Sequence, residues 1–306
     1  MRIKNKVFMG SFFCIIAACC WGVSGAAGQF LFNHTGITPE WLVSTRTLAV
    51  GILMLTFLQL RRGGVFEIWT NKEDRKGIII FTLGGMLFMQ YGYFAAINYC
   101  NAATATVLQY TAPILIVIYL AIRNRKLPSA VECIAVAGCL IGTILLATHG
   151  DMNNLSLSPQ ALFWGLLSSV ALAFYTVYPA KLLAKYDTML LIGWSMMIGS
   201  VVMHFVHPSW EYAANWDISG IAAMVFIVVF GTMTPYLLFL NGVKYVGPTK
   251  SSLYASAEPL ASTIVSVVWL KVGLELMDYI GFIFIVAAVL MLSFVKPKEQ
   301  KTENTQ

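Results

Sequence analysis

Ten times along this chain an apolar run of roughly 18–24 residues appears, the length an α-helix needs to cross about 30 Å of hydrocarbon. The runs fall at about residues 8–31, 41–60, 77–98, 101–122, 131–148, 160–182, 189–206, 218–240, 250–270 and 278–295. In lipid every backbone polar group must be satisfied internally, so such runs become helices. The expected fold is an all-α polytopic membrane protein. Composition agrees: only 11% of residues are charged, where a soluble domain carries about a quarter.

The segments between runs sort by charge. Arg2, Lys4, Lys6, Arg61, Arg62, Lys72, Arg75, Lys76, Arg123, Arg125, Lys126, Lys181, Lys185, Lys244, Lys296, Lys298 and Lys301 fall on one side. His34, Glu40, His149, Asp151, His207, Glu211 and Asp217 fall on the other, with Lys271 the only clear basic residue there. Positive residues mark the cytoplasmic face, so both termini are expected in the cytoplasm, which requires an even number of spans. The net charge of +6 is therefore topology, and nucleic acid is not an expected partner. The basic start and Ser24-Gly-Ala-Ala27 resemble a secretory signal, but the first run exceeds a typical signal core and reads as an uncleaved span.

An internal repeat follows. Setting Pro113 on Pro259 gives a shift of 259 − 113 = 146. The same shift sets Tyr99 on Tyr245, Thr106 on Ser252, Gln90 on Tyr236, Ile118 on Ile264 and Glu132 on Asp278. Residues 1–150 and 151–306 then form two five-span halves. An odd number of spans inserts the copies in opposite orientations, and inverted repeats place transporter sites near the midplane.

Several short motifs resemble the EamA-type members of the drug/metabolite transporter superfamily. They are Ala18-Cys-Cys-Trp-Gly-Val-Ser24, Ser44-Thr-Arg-Thr-Leu-Ala-Val50, Ala103-Thr-Ala-Thr-Val-Leu-Gln-Tyr-Thr-Ala-Pro113, and the stretch from Ser252 to Pro259. The resemblance covers nearly the whole chain. It implies ten helices as two inverted five-helix repeats, alternating access, and export of amino acids or related compounds. One departure concerns a Gly-Glu step before spans 5 and 10, where this chain has Lys126 and Val272.

Glu258 is the sharpest candidate for function. It lies eight residues into span 9, about 12 Å deep at 1.5 Å per residue. A carboxylate at that depth is costly and faces a cavity, a partner or a substrate. Pro259 removes a backbone donor and frees a carbonyl in the preceding turn. Glu258 would bind an ammonium group or a coupling proton; otherwise it is protonated, or bonded to Ser or Tyr on a neighbouring helix. Arg46 is about 7 Å deep in span 2, which leaves an axial gap of about 10 Å to Glu258 and argues against a direct salt bridge unless helix tilt closes it. It would hold an anionic group, or snorkel to the outer interface.

Trp21, Gln90, Tyr91, Tyr93, Gln109, Tyr110, Phe174, Tyr175, Tyr178, Tyr236 and Tyr254 sit inside spans, where buried hydroxyls and amides need partners that a central cavity supplies. Apolar packing competes with that reading at each position. The cavity is expected between spans 1, 3, 4, 6, 8 and 9. Gly138 and Gly142 make a close-packing step in span 5, within the fold or at a dimer face, which leaves monomer and homodimer open. Five of the six cysteines lie in apolar runs without zinc-ligand spacing, and His204 and His207 lack a carboxylate to complete a site, so neither metal nor cofactor is expected. No His-Glu-x-x-His, Gly-x-Ser-x-Gly or phosphate-cradling loop supports an enzyme or an ATP-driven pump.

The sequence thus points to a secondary transporter of small polar or amphipathic metabolites, with lipid around it and a coupling proton as a candidate partner. Uptake, or efflux of cationic or quaternary amines, is the alternative; a membrane enzyme is weaker.

Overall fold

The computed structural model describes residues 2–125, 127, 129–148, 157–206, 208, 216–247, 250–251, 254–255, 257–273 and 275–293. All regular structure among them is helical. Ten helices follow in order: α1 (Arg2–Thr35), α2 (Pro39–Arg62), α3 (Lys72–Tyr99), α4 (Ala102–Arg123), α5 (Ala130–Thr148), α6 (Pro159–Lys185), α7 (Thr188–Val206), α8 (Ile218–Val246), α9 (Ala257–Val268) and α10 (Leu276–Ser293). Among the described residues, α1 to α4 and α6 to α8 are long and apolar enough to span a membrane by length and composition. Most ends fall within a few residues of the sequence expectation. The exceptions are α1, α3 and α8, which run past their apolar runs, and α9, whose helix is described from Ala257 onward. Lys126, His149, Asp151, His207, Glu211, Ser252, Lys296, Lys298 and Lys301 lie outside the described residues.

Local chemistry sets the helix starts. Thr38 caps α2 by accepting from the Trp41 amide, and Pro39 occupies the first turn, where its missing donor costs nothing. Asn71, Asn101, Ser158 and Asp217 cap α3, α4, α6 and α8 with side-chain oxygens. Asn71 and Asp217 are themselves a repeat pair at the 146-residue shift. So are two π-turns, Thr82–Leu87 within α3 and Val229–Met233 within α8.

Packing repeats the same symmetry. Helix α1 lies against α8 and α9; its repeat mate α6 lies against α3 and α4. The mates α2 and α7 pack on each other, as do α5 and α10. Exchanging the halves maps this contact pattern onto itself, as two inverted copies of one five-helix unit require. Gly138 faces α10, where a methyl in its place would stand 3.6 Å from the Ala288 Cβ, so this glycine is used inside the fold. Phe8, Phe57, Phe163, Phe205, Ile264 and Ile283 are exposed on the outside, where lipid would cover them.

Candidate functional site

A small cavity lies where the halves meet, near the middle of the spans that line it. Trp21 and Ser24 of α1, Arg46 of α2, Met89, Gln90, Tyr93 and Phe94 of α3 and Gln109 of α4 form one part of the wall. Leu172 of α6, Gly231 and Tyr236 of α8 and Glu258 of α9 form the rest. The expected lining helices all contribute, and α2 joins them through Arg46. Its free space is about 30 Å³, room for one or two waters and far below the roughly 300 Å³ or more of a ligand pocket.

Glu258 is 3% exposed, and its carboxylate oxygen Oε2 lies 2.9 Å from the Tyr110 hydroxyl of α4. The Tyr110 hydroxyl also donates to the Ala255 carbonyl, the carbonyl that Pro259, four residues on, cannot bond. The Glu258 amide bonds that same carbonyl at 2.9 Å. The proline thus shapes a turn whose Ala255 carbonyl, short of its Pro259 partner, takes both the Glu258 amide and the Tyr110 hydroxyl, and Tyr110 in turn meets the carboxyl. Helix α1 is pressed against this turn at Gly22, where a Cβ would lie 2.6 Å from the Ser262 nitrogen and 2.7 Å from the Glu258 carbonyl oxygen. Only glycine admits so close an approach.

Arg46 is also 3% exposed. Its Nη2 donates to Gln90 Oε1 at 2.7 Å, and its guanidinium lies over the Phe94 ring at 4.3 Å. Gln90 is held from behind by Met196, Nε2 to Sδ at 3.5 Å. Arg46 and Glu258 line one cavity, yet among the described residues they form no ion pair with each other. Three buried polar atoms of the lining, Trp21 Nε1, Ser24 Oγ and Arg46 Nε, have no hydrogen-bond partner among the described residues.

The other candidates divide. Trp21 packs on Tyr236 and Phe239 with ring centres 5.1 Å apart in each case, so two aromatic residues of α8 support it. Tyr175 stands behind Tyr236, fully buried, and its hydroxyl has no partner among the described residues. Tyr93 and Gln109 reach the cavity, while Tyr91 bonds Glu40 at 2.7 Å instead. Tyr178 stacks on Phe174, and Tyr254 packs against the apolar core; neither belongs to the wall. Ser24, Met89, Phe94, Leu172 and Gly231 are wall residues that sequence reasoning did not single out. Of these, only Ser24 carried a signal, as a polar residue in a quoted motif.

Two polar contacts close the ends of the molecule. Toward the face where the N-terminus lies, Asp74 of α3 accepts from Lys185 at 3.2 Å and from the Tyr186 hydroxyl at 2.9 Å, joining α3 to the end of α6. At the opposite face His34 of α1 meets Asp217, the cap of α8, at 3.1 Å. The Gly220 amide, the Ser219 hydroxyl and then His34 hold the Asp217 carboxyl down at about 2.

This chain's sequence matches the EamA-like transporter family twice, over residues 8–148 and 159–294. It is 36% identical over 281 residues to the Salmonella typhimurium protein named "Uncharacterized inner membrane transporter YicL", covering 91% of this chain and 93% of that one. It is 25% identical over 271 residues to the Escherichia coli protein named "Uncharacterized inner membrane transporter YedA", covering 84% and 82%. Among solved structures, a crystal structure shares the fold with a TM-score of 0.66 at 17% identity, covering 94% of this chain and 96% of that one. A duplicated five-helix unit around a polar cavity, matched twice by one profile over nearly its whole length, belongs to an integral membrane transporter of the EamA-like transporter family.

Proposed function

We propose that the chain is a secondary transporter of the cytoplasmic membrane that moves small polar or amphipathic metabolites by alternating access, exporting amino acids or related compounds. One observation carries this reading: a buried wall of both charges, amides and aromatics lies between two inverted halves, in a space too small for cargo. Cargo can enter only if one half, residues 1–150, rocks against the other, residues 151–306, with both termini on the cytoplasmic face. In this mechanism the Asp74–Lys185 and His34–Asp217 contacts open in turn. The wall is complete within one chain, so a monomer suffices.

Tyr110 supports a coupling proton on Glu258. Its hydroxyl has one hydrogen, and of the oxygens near it the Ala255 carbonyl can only accept. With that hydrogen on the carbonyl, the contact with Glu258 is favourable when the carboxyl supplies a proton of its own. The second reading, transport of cationic amines, draws on the aromatic Trp21–Tyr236 wall near this carboxyl.

Flux in proteoliposomes, with and without a pH gradient, tests the proposal. Wild type should move cargo chemically unchanged and faster with the gradient, and Glu258→Gln should lose the gradient's effect. No flux above empty vesicles for amino acids, amines and nucleobases alike would overturn it.

A further inference from the structure

Resting on the transporter reading above, we infer that Tyr175 is a positioning residue for the transport cycle: its buried, unpartnered hydroxyl loosens an aromatic seal beside the cavity and tilts the resting balance toward opening at the face where the N-terminus lies. The cavity is closed by unlike chemistry on its two sides.

On the side of the N-terminus the closure is aromatic. Tyr175 and Phe239 follow the wall residues Leu172 and Tyr236 by less than one turn of α6 and α8, about 4.5 Å toward that face, and Phe81 precedes Met89 on α3 by about 12 Å. Phe81 stacks on Tyr175 with ring centres 5.5 Å apart, Tyr175 stacks on Phe239 at 6.1 Å, and Trp21 packs on Phe239 at 5.1 Å. Phe81 and Trp21 belong to the first half, Tyr175 and Phe239 to the second, so opening this face parts these rings.

On the opposite side the closure is hydrogen-bonded. The Thr106 hydroxyl of α4 donates to the Ala102 carbonyl at 2.6 Å, with the Tyr93 hydroxyl of α3 2.9 Å and the Ser262 hydroxyl of α9 3.3 Å from it. Thr106 and Ser262 join the halves there, and each of the three hydroxyls has a partner. Tyr93 and Phe239 are mates at the 146-residue shift, so one position of the repeat carries a satisfied hydroxyl on one side and a bare ring on the other.

Ring burial holds the aromatic seal shut, and the Tyr175 hydroxyl opposes it. That hydroxyl has no partner among the described residues. Ser24 and Ser266 also lack one, but a serine can turn to a carbonyl in the preceding turn of its own helix. A hydroxyl at the far end of a ring reaches none. Burying it without a hydrogen bond is unfavourable, and parting the rings admits water to it. The penalty therefore acts whenever the N-terminal face is closed, including while the opposite face is open, and it is relieved when the N-terminal face opens.

The test uses the full chain in a cysteine-free background, in lipid nanodiscs, so that both faces meet the reagent. Two buried positions, mates at the repeat shift and one turn beyond Phe239 and Tyr93, carry the reporters: Val243→Cys toward the N-terminal face and Ile97→Cys toward the other. The ratio of their labelling rates with a membrane-impermeant maleimide follows the balance between the two openings. Tyr175→Phe should lower this ratio by at least ~5-fold, with thermal stability unchanged or raised, a pair of effects that damage to the fold would not give. Ser262→Ala should lower it too, by speeding Ile97→Cys rather than slowing Val243→Cys. A ratio that Tyr175→Phe leaves unmoved or raises overturns the inference, and flux of any cargo alongside that result keeps the transporter reading intact. Labelling at neither position, with no flux, defeats the transporter reading and this inference with it.

Discussion

Tyr110 and Tyr175 are both enclosed, at 2% and 0% exposure, but their hydroxyls stand in opposite situations. That of Tyr110 serves the Ala255 carbonyl and the Glu258 carboxyl; that of Tyr175 has no partner among the described residues. Removing one partner of a buried polar pair costs the desolvation of the group left behind, about 1–3 kcal/mol, whereas deleting an unmatched hydroxyl costs nothing. Tyr110→Phe should therefore lower the thermal midpoint in detergent, and Tyr175→Phe should leave it unchanged or raise it. The same contrast explains what could be read from residue types. A charge or an amide within an apolar run announces itself, and Arg46, Gln90 and Glu258 do lie in the wall. Leu172 and Gly231 were illegible, because an apolar or small residue looks alike against lipid, helix or cavity. Tyr178 and Tyr254 show the complementary limit: a run gives depth, but the rotation of the helix about its axis is set by neighbours.

At the scale of elements, the α1–α9 crossing rests on Gly22. A methyl there meets backbone rather than a flexible side chain, at 2.6 Å from the Ser262 nitrogen, so α1 must move away. Overpacking of this kind costs about 1–3 kcal/mol. Gly22→Ala should lower thermal stability and, by shifting the turn that carries Glu258, reduce flux more than its loss of folded protein explains. The link between α1 and α8 responds to pH. Asp217 is held at about 2 against an ordinary 3.8 by the Gly220 amide, Ser219 and His34, so its contribution is present above the ordinary value and is lost as pH falls from about 4 to 2. Melting curves of wild type and Asp217→Ala should differ at pH 6 and converge near pH 2. Helix number and order were legible because hydrocarbon thickness fixes span length, and the repeat was legible because a proline and loop residues recur at one shift. The pairing of α1 with α8 and α6 with α3 was not, since contacts between helices far apart in sequence leave no periodicity to read.

The whole molecule carries two end contacts at opposite faces, Asp74–Lys185 and His34–Asp217, each joining an element of one half to an element of the other. If access alternates, fixing either one stops the cycle. In a cysteine-free background, paired cysteines at positions 74 and 185, or at 34 and 217, bridged by a short bifunctional thiol reagent, should each abolish flux, with single cysteines unaffected. Flux persisting through both cross-links would mean that the halves do not rock about these ends. The paired π-turns, Thr82–Leu87 and Val229–Met233, bear on a different matter, which is descent. Each is a local widening of the helical register, and they occupy corresponding places in halves that cross the membrane in opposite senses. One inheritance accounts for both more simply than two separate insertions. The π-turn is then older than the duplication, and its ancestor was a five-helix protein that met a second copy of itself upside down.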